Sequence, residues 1–239
     1  MPKVVELRKG SAVGLISGGL DSTVVATHMI ANYEQQRFLF CEYGQKTVSR
    51  ERTAFRQICD FLQPTDAQII DMTWLQAVGK SALFSGGTRL TRENRKSEYV
   101  PFRNAALLSA AVALAESVDA DAVLIGSTGG DTTCPDNSIE FINAFQKVIN
   151  TGTMTSRDIS LSAPLIDMSK KQVIEYGVSL GAPFELSWSC HNNLGSMACG
   201  LCSNCESRYV AFKDLGMSDP LTYETAPSTV MHSETNKEG

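Results

Sequence analysis

Ala12-Val13-Gly14-Leu15-Ile16 runs directly into Ser17-Gly18-Gly19-Leu20-Asp21-Ser22-Thr23. The first five residues are a short apolar run and read as a buried strand. Ser17-Gly18-Gly19 breaks it, and 21–33 reads as a helix with Asp21 and Ser22 suited to its first turn. Strand, glycine turn and helix in that order make an anion site: glycines let the backbone approach closely, and the first helical N–H groups carry partial positive charge. Ile16 to Thr23 is therefore the predicted phosphate-binding segment, with hydroxyls from Ser17, Ser22 and Thr23. Asp21 is unfavourable beside phosphate unless it meets a cation, so it points to bound magnesium or to a turn-organising role. The segment is neither a Walker A loop nor G-x-G-x-x-G; Gly79-Lys80-Ser81 lacks the required upstream glycine, since Trp74 stands there.

Working outward, strands are predicted at 37–42, 67–71, 122–126 and 159–163. Helices are predicted at 46–62, 103–117, 138–150, 169–180 (with Ser169 as N-cap) and 203–215. The stretch 79–99, glycine-rich and charged, reads as a long loop of the functional or mobile kind. Alternating strands and helices predict an α/β fold with a doubly wound parallel sheet. Thr, Ser, Glu, Pro and Asn dominate from Leu221 onward, and 221–239 reads as a poorly ordered tail. The expected units are thus 1–182, 183–220 and that tail.

Composition narrows the classes. The 239 residues are 43% hydrophobic and 20% charged, a globular balance that excludes disorder of the whole chain. Lys and Arg number 21 against 26 Asp and Glu, a net charge of −5, which argues against a broad nucleic-acid footprint. The most apolar run, 105–115, contains Ser109 and is far short of the roughly 20 residues of a membrane span. Met1-Pro2-Lys3 opens no signal peptide. Cytoplasm is the expected compartment.

Of seven cysteines, four form C-x8-C-x2-C-x2-C: Cys190, Cys199, Cys202 and Cys205. Four soft thiolates close a tetrahedral structural zinc site, with His191 a rival ligand, and an iron–sulfur cluster and free thiols the competing readings. Cys41 and Cys59 read as buried filler.

Ser-Gly-Gly-x-Asp-Ser after the first strand resembles the PP-loop of the ATP pyrophosphatase superfamily. Together with the cysteine spacing it resembles the 7-cyano-7-deazaguanine synthase (QueC) family over most of 11–220. Further segments are similar: Glu42-Tyr43-Gly44-Gln45, Val100-Pro101-Phe102-Arg103-Asn104, Ala163-Pro164-Leu165 through Lys170, and Trp188-Ser189-Cys190. The resemblance implies an adenine nucleotide alpha hydrolase-like fold with a small C-terminal zinc-binding helical region. It implies a cytoplasmic homodimeric ligase using ATP, Mg2+ and Zn2+ to turn 7-carboxy-7-deazaguanine and ammonia into the 7-cyano base (preQ0) through the amide, in queuosine or other 7-deazaguanine pathways. Under it, Asp21, Ser22 and Arg103 are catalytic candidates, with a surface helix arginine the plain alternative for Arg103. Tyr43, Gln45, Asn104, Asp131 and Asp136 are substrate candidates; both aspartates read equally well as turn or helix caps.

Where the family runs Asp-x-Ser-Gly-Tyr-Pro-Asp-Cys-Arg, this chain has Asp131-Thr132-Thr133-Cys134-Pro135-Asp136-Asn137. That departure motivates an alternative, a sibling that conjugates the same acid to another amine such as a partner protein in a defence system. A PP-loop sulfur-transfer enzyme acting on tRNA is disfavoured by the net charge and the zinc-like spacing. A nucleotide sensor without turnover is disfavoured by Asp21 and Arg103.

Overall fold

A computed structural model describes residues 8–128, 134–154, 158–192 and 195–227. The strands are β1 (Arg8–Leu15), β2 (Tyr33–Glu42), β3 (Asp66–Asp71), β4 (Ala122–Leu124) and β5 (Ser160–Ser162). The helices are α1 (Leu20–Asn32), α2 (Val48–Leu62), α3 (Trp74–Val78), α4 (Arg103–Ser117), α5 (Ile139–Gly152), α6 (Lys170–Leu180) and α7 (Ser203–Lys213). All pairings are parallel, in the order β3-β2-β1-β4-β5. The chain winds outward from β1 to β3, then returns to β4 on the other side of β1. The crevice where the order reverses lies beyond the carboxyl ends of β1 and β4, where open α/β sheets bind ligands.

Both faces of the sheet are covered, which is why the central strands read as apolar runs. Ala12 and Ile16 of the first strand segment, Phe38 and Phe40 of β2, and Leu124 of β4 face α1, α2, α6 and α7. The alternate residues Val13, Leu15, Leu39, Cys41 and Val123 face α4 and α5. A third cluster joins Leu83, Phe84, Leu90 and Val100 to Trp188 and the four spaced cysteines.

Most predicted elements stand within one or two residues, and α4 begins and ends at the predicted residues. Ser169 caps α6 as expected, in a reciprocal capping box with Gln172. The differences have local causes. β2 starts at Tyr33, before the predicted 37, because residues up to Gln36 pair with β1 alone and Glu34 and Gln35 reach solvent there. The stretch 79–99 is a packed arm containing a 3-10 turn at Arg95–Glu98. Its buried residues have no period, and Leu90 is gripped by Asn192, whose side chain donates to its carbonyl and accepts its N–H at 2.9 Å each. Residues 221–227 are hydrogen-bonded rather than loose: the Thr222 carbonyl accepts from Ala198 N–H at 2.9 Å, and Glu224 N–H donates to Ala198 at 2.8 Å. Among the described residues no helix is long and apolar enough to cross a membrane.

The C-terminal segment is locked by a buried ion pair. Arg208 on α7 and Asp219 are each 1% exposed and meet at 3.0 Å. Ser187 Oγ and the Phe184 carbonyl accept the remaining guanidinium bonds, and Tyr223 donates to Asp219. Removing one member leaves a bare buried charge. Asp219→Ala is expected to destabilise the protein by about 3–5 kcal/mol, read from urea unfolding midpoints; a loss below about 1 kcal/mol contradicts this role.

Candidate active site

The turn after β1 is knitted by its own hydroxyls. Ser22 Oγ accepts from Ser17 N–H at 3.2 Å and donates to the Gly19 carbonyl at 3.0 Å; Ser17 Oγ accepts from Gly19 N–H. Gly18 sits at φ +79°, where a side chain is strained, and a Cβ there would come within 2.9 Å of Ala54, Glu51 and Phe55 on α2. Gly126, after β4, lies across from the start of α1; its missing Cβ would be 3.3 Å from Ser22 N. Two glycines therefore hold the crevice open on one side and let α2 support the loop on the other.

This crevice opens into a cavity of about 450 Å³. Ile16, Ser17, Gly19, Leu20, Asp21, Ser22, Tyr43, Arg103 and Asn104 all line it. Four predicted residues stand behind its wall. Gly18 faces α2, and Thr23 is fully buried with its hydroxyl on the Gly19 carbonyl at 2.8 Å. Gln45 is buried and organises its own turn, accepting from Tyr43 N–H and donating to Glu51. Asp136 accepts the Asn104 N–H at 2.7 Å and thereby caps α4, so the capping alternative holds for it. Asp131 lies outside the described residues.

Asp21 meets a cation of the protein itself. Both its oxygens lie on Lys170 Nζ, at 2.7 and 2.6 Å. The first residue of α6 thus neutralises a carboxylate on the first turn of α1, and the anion-attracting end of α1 keeps its sign. Lys170 entered the sequence reading only as part of a resembling segment; nothing local indicated its partner, which comes from the packing of α6 on α1.

Arg103 is held on the opposite wall. Its Nη1 donates to the Tyr43 hydroxyl at 3.1 Å and its guanidinium lies 5.3 Å from the Tyr43 ring centre. Burial pushes the Tyr43 phenol up to about 12, so it stays a neutral partner. The preceding residue, Phe102, takes a left-handed conformation at φ +55°, which turns the chain sharply into α4. Arg103 is a half-buried, oriented cation facing the cavity rather than a surface residue.

The four spaced cysteines come together as expected. Their sulfurs lie within 4.8 Å of one another and all four residues are buried; Cys199 and Cys205 are 3.9 Å apart, Cys202 and Cys205 3.4 Å. A tetrahedral metal with about 2.3 Å bonds needs sulfurs roughly 3.8 Å apart. Backbone N–H groups of Asn192 and Cys199 point at Cys190 Sγ, and those of Leu201 and Cys202 at Cys199 Sγ. The three neighbouring thiols hold the Cys199 thiol far below its usual range, and the Leu201 N–H adds to this. The donor set and spacing fit zinc. His191 is not a fifth ligand: its Nε2 meets Asn204 at 2.7 Å and its Nδ1 faces Glu98. Cys41 is buried and desolvation pushes its thiol up to about 12, whereas Cys59 is only part-buried at about 11. Raised thiols of this kind are poor nucleophiles.

The cysteine loop also supports the turn after β1, since Trp188 N–H donates to the Gly18 carbonyl at 2.8 Å. Glu98 on the arm and Ser203 and Asn204 at the start of α7 line the same cavity. No sequence signal marked these three; they reach the cavity only through the packing of the arm on the cysteines.

The queuosine biosynthesis protein QueC family matches residues 11–216. The 7-cyano-7-deazaguanine synthase of Chlorobium phaeobacteroides (strain BS1) is 39% identical over 225 residues, covering 92% of this chain and 99% of that protein. That of Methanoculleus marisnigri is 40% identical over 219 residues, covering 89% and 98%. The chain therefore spans nearly the whole length of these relatives.

Proposed function

The chain belongs to the QueC family, and from that membership we propose that it makes 7-cyano-7-deazaguanine from 7-carboxy-7-deazaguanine, ammonia and ATP. A carboxylate resists ammonia because oxide is a poor leaving group. In the first step the substrate carboxylate oxygen attacks the α-phosphorus of ATP, an O–P bond forms, and pyrophosphate leaves. Ammonia then adds to the acyl carbon, AMP departs with the C–O electron pair, and a proton is lost to give the amide. The amide oxygen is activated in the same way by a second ATP. Loss of AMP and of the nitrogen-bound protons leaves the nitrile.

The observation that carries this reading is the shared cavity: a phosphate-binding turn with its carboxylate neutralised by Lys170, and an oriented Arg103 on the facing wall. The N–H groups opening α1, with Ser17 and Ser22, hold phosphate oxygens. Arg103 pairs with the carboxylate and with the charge that develops on the transferring phosphoryl group. The protein mainly positions reactants and stabilises charge. Magnesium would accompany the triphosphate and neutralise part of its charge; Asp21, the carboxylate nearest the turn, is already occupied by Lys170. Cys190, Cys199, Cys202 and Cys205 would hold zinc, and a closed four-thiolate shell would supply structure there rather than reactivity.

The altered segment before Asp136, and the use of Asp136 on α4, favour one alternative: the activated acid passes to a different amine, such as one on a partner protein. Mass spectrometry of the acid incubated with protein, ATP, magnesium and ammonium separates the two. The cyano product is expected. An adenylated or amide species that never becomes nitrile supports conjugation instead, and no ATP-dependent product refutes both.

A further inference from the structure

Three carboxylates line the cavity among the described residues: Asp21, Glu51 and Glu98. Asp21 has both oxygens on Lys170. Glu51 accepts from Thr47 Oγ1 at 2.5 Å and from Gln45 Nε2 at 3.0 Å. Glu98 is different. Its Oε1 accepts from Ser203 Oγ at 2.8 Å. Its Oε2 forms a long ion pair with His191 Nδ1 at 3.4 Å. An ionised carboxylate offers about four acceptor sites, so Glu98, which lines the cavity, keeps accepting capacity beyond Ser203 and His191. The pair is fixed from behind by Asn204 on His191 Nε2; burial raises the Glu98 carboxyl, but His191 and Ser203 outweigh it and leave the group below its usual range.

We propose that Glu98 reads the amino-pyrimidinone edge of the substrate, its carboxylate accepting from the ring N–H and the exocyclic amino group. The chemistry fits in three ways. That edge presents two parallel donors, which a carboxylate matches as it matches a guanidinium fork. The reacting carboxyl and the amino edge stand at opposite ends of the bicyclic base, so the reader belongs on a wall other than the one formed by α1 and α6. Glu98 is on such a wall, built by the arm and α7. Of the two aspartate candidates from the sequence, Asp136 is already used by α4 and Asp131 lies outside the described residues. The assignment rests on the reading of the substrate as a 7-deazaguanine acid, and makes substrate choice a property of the arm that packs on the cysteine cluster.

The test is calorimetric binding of two ligands to the full-length, metal-loaded protein: 7-carboxy-7-deazaguanine and its analogue lacking the 2-amino group. The wild type is expected to bind the analogue about 10- to 100-fold more weakly, the range of a hydrogen bond to a charged group. Glu98→Gln is expected to weaken binding of the natural acid by a similar factor and to abolish the preference. ATP affinity and zinc content should stay unchanged, which a merely structural defect would not leave so. Glu98→Asp, which keeps the charge but withdraws it by one methylene, is expected to lose part of the preference. Variants that bind the acid with the wild-type preference overturn the assignment while leaving the proposed reaction standing. A wild type that binds the acid and its analogue equally also overturns it. A wild type that binds neither ligand refutes the proposed reaction and this assignment together.

Discussion

Lys170→Met is expected to lower ATP-dependent pyrophosphate release by on the order of 10³-fold while leaving the fold intact. The estimate combines two effects. The substitution deletes a cation from the proposed triphosphate site, where single charge-stabilising groups are worth roughly 10²–10³. It also exposes the phosphates to an unpaired Asp21 carboxylate at the helix end meant to attract them. Asp21→Asn alone is expected to cost less, because Lys170 then remains to face the phosphates. The double variant should be less impaired than the two single losses multiplied, since removing the carboxylate relieves the repulsion. A Lys170→Met protein within a few-fold of wild-type turnover would exclude the ion pair from the reaction.

Cys202→Ser should have the largest effect on the folded state. The sulfur belongs to a buried group of four, and structural zinc contributes about 10–16 kcal/mol in small peptides. In the intact chain the loss is capped by what the surrounding segment contributes: the arm, Trp188 and the start of α7 pack on these sulfurs. The expected outcome is zinc falling from about one per chain to near zero by elemental analysis. Poor solubility or a melting point lower by roughly 10 °C or more should accompany it. A variant, or a metal-free wild type, that melts at the wild-type temperature contradicts a structural metal.

The parts of this molecule that were readable from its sequence are those governed by local rules. The phosphate turn announced itself because glycines, a strand and a helix start are adjacent in the chain. Four cysteines at short spacing announced a common ligand. α4 was legible to the residue because the Pro101 step, an uninterrupted run of helix formers and Ser117 bound it. What stayed hidden depends on pairs remote in sequence. Lys170 acquires its meaning from Asp21, and the stretch 79–99 reads only as a long functional or mobile loop because its buried residues answer to the cysteine segment and to Asn192 rather than to any period. Gln45 and Asp136 show the converse: polar residues beside a site that use their hydrogen bonds on the backbone frame.

One more consequence follows from the bond between Trp188 and the Gly18 carbonyl. The loop that opens the first helix is completed by residues translated near the end of the chain, and Lys170 meets Asp21 across 149 positions. A nascent chain that has emerged only through β4 possesses the glycine turn but neither its counter-charge nor its backing strut. The crevice after β1 is therefore completed by contacts of long range in the chain, and such contacts slow the approach to the native state. If it is the proposed nucleotide site, ribosome-bound intermediates truncated before α6 are expected not to retain ATP.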